Sequence, residues 1–147
     1  MITEDYVSFE TAKLLKEKGF DEACDKKYFG DDCSGPSYIR DSWEEGGDVC
    51  PMSNSDLDDG SKYADISAPT IQMAMKWLRK AHNIHIEVRI TNHSLSSLID
   101  VPRYYWIIFN AKEVKWMDES TAHKPMSYET VEEAYEAAIK HCLKNLI

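Results

Sequence analysis

Four cysteines and five histidines are the side chains of this sequence with the clearest capacity to ligate a metal or to act as a nucleophile or base. They are Cys24, Cys33, Cys50, Cys142, His82, His85, His93, His123 and His141. Structural zinc sites usually contain close cysteine pairs such as C-x₂-C, whereas 8 and then 16 residues separate the first three cysteines. The histidines form no H-E-x-x-H motif or comparable pair. The spacing predicts free thiols, no metal site and no cofactor, with zinc held by Cys24, Cys33 and Cys50 as the alternative.

Catalytic motifs are also missing from the sequence. It has no glycine-rich phosphate loop, no G-x-S-x-G motif and no cysteine with a local activating environment. We therefore expect a protein that is not an enzyme. An active site assembled without a local motif is the alternative.

The aromatic residues Tyr104, Trp106 and Trp116 are the strongest candidates for binding. If they share one face of a sheet, their rigid rings are typical anchors for a protein partner. The alternative is that they pack beneath a helix. His85 and Arg89, which flank Glu87 in a strand, form a second candidate patch, although such groups also occur as ordinary surface pairs.

A helix followed directly by a strand must position most of these residues. Pro69 favours a first helical turn, and apolar residues spaced by three and four follow it: Ile71, Ala74, Met75 and Leu78. Asn83 suits the left-handed conformation that ends a helix. From Ile84 to Ile90, apolar and polar residues alternate, which predicts a strand with one buried face.

Two further strands and a final helix complete a predicted α-β-β-β-α core. The strands are 103–110 and 114–117, and the first of them carries large apolar groups on both faces, so we expect both faces to be covered. In the final helix, Thr130 and Glu133 match a capping box. The fold class predicted is therefore α+β, with a three-stranded antiparallel sheet packed by two main helices.

The front of the chain adds a short N-terminal helix and a long irregular acidic segment. Ser8 and Gly19 are the predicted cap residues of the helix within residues 1–20. Residues 21–66 are rich in turn residues and have only weak apolar islands at 28–29 and 38–43. We therefore expect either short edge strands packed on the core or a mobile stretch at 53–61. At 147 residues the chain suits one domain, divided into 1–20, 21–66 and the core 67–147.

Negative charge is concentrated in this front part. Residues 1–66 contain 17 acidic and 7 basic residues, whereas residues 67–147 contain 9 and 10. This balance makes nucleic acid and anionic membranes poor partners. The sequence also has no signal peptide and no apolar run long enough to span a bilayer, so we expect a cytoplasmic protein.

Three blocks of the sequence resemble a family of small uncharacterised proteins of gut bacteria and their phages or prophages. They are VSFETAKLLKEKGF, APTIQMAMKWLRKAHNIHI and YETVEEAYEAAIKHCLKNLI. The resemblance implies a mobile-element origin and an intracellular setting, and it brings no catalytic motif. The α-β-β-β-α order is also similar to that of double-stranded-RNA-binding domains, but the last helix here begins with acidic residues where those domains place lysine and arginine.

These observations favour a non-catalytic binding or adaptor protein that docks a protein partner or a second copy of itself. One alternative is a small-molecule binder, for example a nucleotide sponge that acts against host defence, or an enzyme without a recognisable motif. Another is an acidic mimic of nucleic acid, which would bind a basic partner.

Overall fold

The computed structural model describes residues 3–30, 39–92 and 102–147. Cys33, Tyr38 and the predicted polar connection from Thr91 to Asp100, apart from its first two residues, lie outside the described residues. Contacts within the chain divide it into two compact units, Met1–Ala74 and Met75–Ile147. The single domain inferred from chain length stays a prediction.

In the first unit, helix α1 spans Phe9–Glu17. The Ser8 side chain accepts a hydrogen bond from the Thr11 amide at 3.3 Å, and Gly19 has a φ of +91°. Both predicted cap residues are therefore confirmed. The helix buries Thr11, Ala12 and Leu15. This packing stabilises it, because an isolated helix of nine residues is not stable in water.

The acidic segment contains more regular structure than its sequence predicts. Strands β1 (Lys26–Tyr28), β2 (Ile39–Asp41) and β5 (Ile66–Ser67) form an antiparallel sheet in the order β2-β1-β5. Strands β3 (Glu44–Glu45) and β4 (Asp48–Val49) form a separate hairpin, and helix α2 spans Asn54–Leu57. The buried Asn54 side chain donates to the Phe20 carbonyl at 2.7 Å and accepts from the Ser67 amide at 3.0 Å. Long-range bonds of this kind order a segment that is poor in apolar residues.

The predicted α-β-β-β-α order is confirmed. Helix α3 (Ile71–His82) is followed by strands β6 (Ile84–Asn92), β7 (Pro102–Asn110) and β8 (Lys115–Glu119), and then by helix α4 (Val131–Asn145). Asn83 has the expected positive φ of +56°, and Thr130 and Glu133 form the predicted capping box. The sheet is antiparallel in the order β6-β7-β8, and α4 packs on β6 and β7. The fold class is α+β.

The register of β7 and β8 contains a β-bulge that decides which residues share a face. Ile108 lies opposite Asp118 and Phe109 lies opposite Trp116, so Met117 is an extra residue in β8. Paired residues point to the same side of a sheet. Asp118 therefore lies on the α4 face with Ile108, and Trp116 lies on the opposite face.

Three details of the sequence-based prediction are corrected. Trp116 does not share a face with Tyr104 and Trp106, because it pairs with Phe109, which points to the opposite side of β7 from Trp106. Val114 is not in the third strand but has a φ of +52° in the preceding turn. Ile90, which the alternation in the sequence placed on the buried face of β6, is 62 % exposed, whereas Ile84 and Ile86 are buried.

The prediction that both faces of β7 are covered is confirmed at its centre, where Trp106, Ile107 and Ile108 are buried. None of the helices in residues 3–30, 39–92 and 102–147 combines the length and the apolar character that crossing a bilayer requires.

Candidate functional site

Asp118, His123 and His141 converge at one point in the second unit. The Nε2 atoms of both histidines lie 2.8 Å from the same carboxylate oxygen, Oδ2 of Asp118. One potential ligand atom from each of the three residues lies within 4.8 Å of the others. Of the residues that the structure describes, these form the one group of three or more His, Cys, Asp and Glu side chains close enough to hold a metal ion.

Each member of the cluster comes from a different element. Asp118 is near the end of β8, where the bulge directs it toward α4. His123 directly follows a 3-10 helix at Ser120–Ala122, and His141 is in the last turns of α4. The second oxygen of Asp118, Oδ1, accepts a hydrogen bond from the Glu119 amide at 2.8 Å. This bond leaves Oδ2 for the two imidazole rings.

Trp106 packs against both histidine rings. Its ring centroid is 4.9 Å from that of His141 and 5.7 Å from that of His123, and the two histidine centroids are 4.7 Å apart. Trp106 is only 2 % exposed. Its indole Nε1–H is buried and has no hydrogen-bond partner among the described residues. Three aromatic rings and a carboxylate thus form one half-buried cluster.

Ser120 and Tyr128 hold the loop that carries His123. The buried hydroxyl of Ser120 accepts a hydrogen bond from the Trp106 amide at 3.1 Å and donates one to the Met126 carbonyl at 2.9 Å. Further along, Tyr104 and Tyr128 exchange two backbone hydrogen bonds of 2.9 and 2.7 Å. The loop is therefore attached to β7 at two points on either side of His123.

A cleft of about 540 Å³ lies beside this cluster. Trp106, His123 and His141 line it together with three lysines and two glutamates, namely Lys124, Lys140, Lys144, Glu133 and Glu136. One of these glutamates, Glu133, accepts hydrogen bonds from the Thr130 and Glu129 amides as part of the helix cap. The cleft volume is within the usual range for sites that bind small molecules, about 300–1,000 Å³.

Burial and hydrogen bonding oppose each other in setting the pKa of Asp118. Burial raises it, but the hydrogen bond with His123, the amide of Glu119 and the charges of the two histidines together outweigh burial. The net effect is a pKa below the ordinary value, so Asp118 is a carboxylate at neutral pH. Next to His141, burial raises the pKa of the Cys142 thiol to about 12, which makes that thiol a poor ligand and a poor nucleophile.

The structure separates the binding residues predicted from the sequence into two groups. Trp106 belongs to the cluster, and Tyr104 is half-buried on the same face, where it pairs with Tyr128. His85, Arg89 and Trp116 are on the opposite face of the sheet. There Trp116 is 54 % exposed, and the Arg89 guanidinium forms an ion pair with the adjacent carboxylate of Glu87 at 2.8 Å.

Sequence reasoning named His123 and His141 only among the five histidines and predicted no metal site, and it did not select Asp118. No local motif joins them, since their convergence depends on the bulge in β8 and on the packing of α4. One signal was present, because His141 precedes the buried Cys142 and follows the buried Ala138 by three residues, next to the apolar stripe of α4. Of the cysteines considered as zinc ligands, Cys24 and Cys50 are free thiols, and Cys33 is outside the described residues.

No protein-family model, no curated protein and no solved structure matches this chain. The resemblance to small proteins of gut bacteria and phages therefore stays a prediction, as do the mobile-element origin and the cytoplasmic location that were expected from the sequence.

Proposed function

We propose that this protein binds a small anionic molecule in the cleft beside Trp106, His123 and His141. The observation that carries the proposal is the gathering of three lysines and two imidazole rings, beside Glu133 and Glu136, at one concave site in a chain whose net charge is −9. Lysine ammonium groups bind phosphate and carboxylate as point charges. Imidazole rings add hydrogen-bond donors and a flat surface for stacking.

The chemistry of the cleft favours binding over covalent catalysis. The thiol of Cys142, which follows His141 in α4, is protonated at neutral pH because burial raises its pKa to about 12. Asp118 already accepts hydrogen bonds from both histidines, and this geometry holds the rings in place without presenting an obvious nucleophile. The proposal therefore agrees with the small-molecule alternative drawn from the sequence.

A thermal-shift series with inorganic phosphate, citrate and ATP tests this proposal. A ligand at a hundred times its dissociation constant stabilises the folded chain by about 2.7 kcal/mol, which corresponds to a rise in Tm of about 5–10 °C for a chain of this size. We expect at least one probe to produce this rise, and Lys144→Glu to abolish it.

The matched control is Lys112→Glu, which makes the same charge change at an exposed turn between β7 and β8. If the stabilisation depended only on the net charge of the chain, both variants would lose it equally. No rise with any of the three probes, or an equal loss in both variants, would contradict the proposed function.

A second candidate function is self-association through strand β8 on the sheet face opposite α4, beside the buried centre of β7. The observation that favours it is the exposed indole of Trp116, which is 54 % accessible on the face that also carries His85 and Arg89. Sedimentation equilibrium over a range of concentrations tests it. We expect a concentration-dependent mass that Trp116→Ala reduces to that of a monomer, and a wild-type monomer at every concentration would exclude it.

A further inference from the structure

We infer that Asp118, His123 and His141 form a binding site for a divalent transition-metal ion, for which Zn²⁺ is the representative probe. This inference does not depend on the proposed binding of an anionic molecule. Two imidazole nitrogens and one carboxylate oxygen are a donor set that suits zinc and neighbouring first-row metals. Three protein ligands also leave a coordination position open, as in zinc sites that bind water or a substrate.

The distances in the cluster require only a small adjustment to hold an ion. In a tetrahedral site with bonds of about 2.1 Å, neighbouring donor atoms are about 3.4 Å apart. The two Nε2 atoms are now 2.8 Å from Oδ2 of Asp118, which is a hydrogen-bond distance. Each of these two contacts would open by about 0.6 Å. The imidazole donor atoms, which lie within 4.8 Å of each other, would approach by up to about 1.4 Å. Side-chain rotation can supply this movement, because the His123 side chain is 41 % exposed and that of Asp118 is 21 % exposed.

Without a metal, hydrogen bonds hold the same three groups together. A proton on each Nε2 joins that nitrogen to the shared oxygen of Asp118, and a metal ion would replace both protons as the bridge. The supporting contacts would stay in place, because the Glu119 amide holds the other oxygen of Asp118 and Ser120 fixes the loop before His123. The site is therefore organised before the ion arrives, which lowers the entropic cost of binding.

Asn145 occupies the position of an outer-shell partner of His141. Its amide nitrogen lies 3.3 Å from Nδ1 of His141. A histidine that binds a metal through Nε2 carries its proton on Nδ1 and usually donates it to an acceptor. The same nitrogen donates to the His141 carbonyl at 3.1 Å. On metal binding, rotating the side-chain amide by half a turn would present its oxygen to the Nδ1 proton in exchange for that bond, and nitrogen and oxygen assignments of amides depend on such networks. We assign Asn145 as a positioning residue for this site.

The bound ion would lie at the wall of the cleft, because both histidines line it. It would join the loop that follows β8 to the last turns of α4. Metal binding is therefore expected to raise the thermal stability of the folded chain as well as to be measurable directly.

The test is a calorimetric titration of the full chain with ZnCl₂, after removal of any affinity tag and treatment with a chelator. We expect one ion per chain. Asp118→Asn and His141→Ala should each weaken binding by at least about tenfold, since the loss of an outer-shell partner alone costs about 10–100-fold. His123→Ala, at the most exposed of the three positions, serves as a third variant if circular dichroism shows that the others are unfolded.

Two controls separate this site from other zinc ligands. His82→Gln removes an imidazole that packs on Trp77 in α3 and should leave the affinity unchanged. A Cys33→Ser/Cys50→Ser variant should also retain binding, and the Co²⁺ complex should lack thiolate-to-metal charge-transfer absorption. Either a loss of binding in the double cysteine variant or a strong charge-transfer band would place the ion on cysteine and overturn the inference.

Asn145→Asp tests the positioning role, since a carboxylate accepts the Nδ1 proton more strongly than an amide. We expect tighter Zn²⁺ binding in this variant, and unchanged or weaker binding would refute the role of Asn145. Absence of stoichiometric Zn²⁺ binding, or equal affinities in wild type, Asp118→Asn, His123→Ala and His141→Ala, would refute the metal site itself. Because no organic ligand is added, this outcome is independent of the thermal-shift series.

Discussion

Replacing Ser120 with alanine should destabilise the fold through the loss of a single buried acceptor. Strand β8 ends at Glu119, and the Ser120 hydroxyl continues its ladder by accepting the hydrogen bond of the Trp106 amide at 3.1 Å. Ser120 is 0 % exposed, so water has no access to replace that hydroxyl. In Ser120→Ala the Trp106 amide is left buried without an acceptor.

The structure sets the size of the effect. A buried donor that loses its partner costs about 1–3 kcal/mol. The Ser120 hydroxyl also donates to the Met126 carbonyl at 2.9 Å, and the substitution removes this bond as well. We therefore expect Ser120→Ala to lower the free energy of unfolding by about 2 kcal/mol, and the Tm by about 4–8 °C.

Urea denaturation followed by far-ultraviolet circular dichroism measures this change. The control is Ser127→Ala in the same loop. The Ser127 hydroxyl accepts one bond from Arg103 at 3.2 Å, but Arg103 also donates to the Ser127 backbone carbonyl at 3.0 Å, and the substitution leaves that second bond intact. The control should change stability by less than about 0.5 kcal/mol. Equal effects of the two substitutions would refute the argument from the buried acceptor.

Three other predictions concern single residues. Gly30→Ala should destabilise by about 3 kcal/mol or more, because a Cβ there would lie 2.1 Å from the Ala64 carbonyl oxygen; a normal unfolding midpoint would contradict this close approach. Burial raises the pKa of Cys142 to about 12, so this thiol should resist alkylation at neutral pH until the chain unfolds. Labelling of Cys142 in the folded chain, detected by peptide mass spectrometry, would contradict this prediction. Hydrogen bonds from the Ser55 hydroxyl and amide lower the pKa of Asp21. The stability that these bonds contribute is therefore present above the unfolded-state pKa and is lost as the pH falls below about 4. Ser55→Ala should raise the pKa of Asp21 in an NMR titration, and an unchanged value would contradict the assignment.

Much of the fold could be predicted because its signals are local. The capping box at Thr130 and Glu133 and the positive φ of Asn83 depend on neighbouring residues alone. Helix periodicity then gave the buried stripe of α3, where Ile71, Ala74 and Leu78 are all buried. Such features depend on residues within a few positions of one another, so one sequence is enough to find them.

The strands of the acidic segment have only weak signals in the sequence. Strand β1 includes Tyr28 and β2 includes Ile39, both from the predicted apolar islands, but the bounds and pairing of the strands could not be predicted. Strand β1 has three residues and β5 has two, which is too short for an alternating pattern to be recognised. Their order comes from distant contacts, such as the ion pair of Lys27 with Asp65 at 2.9 Å and the hydrogen bond from the Tyr28 hydroxyl to the Val7 carbonyl at 2.6 Å. Contacts between residues far apart in the sequence produce no local sequence pattern.

The candidate site illustrates the same limit at the scale of one residue. Counted from the turn, a regular β8 would place Asp118 opposite Ile107, on the face away from α4. The extra residue Met117 shifts the register so that Asp118 lies opposite Ile108 instead, and its carboxylate reaches His141 on the helix. Bulges commonly redirect side chains beside functional sites. Trp116 lies between the turn and the bulge and pairs with Phe109, so it stays on the face away from α4. One inserted residue therefore brings Asp118 to the face of Trp106 and completes the Asp118–His123–His141 cluster.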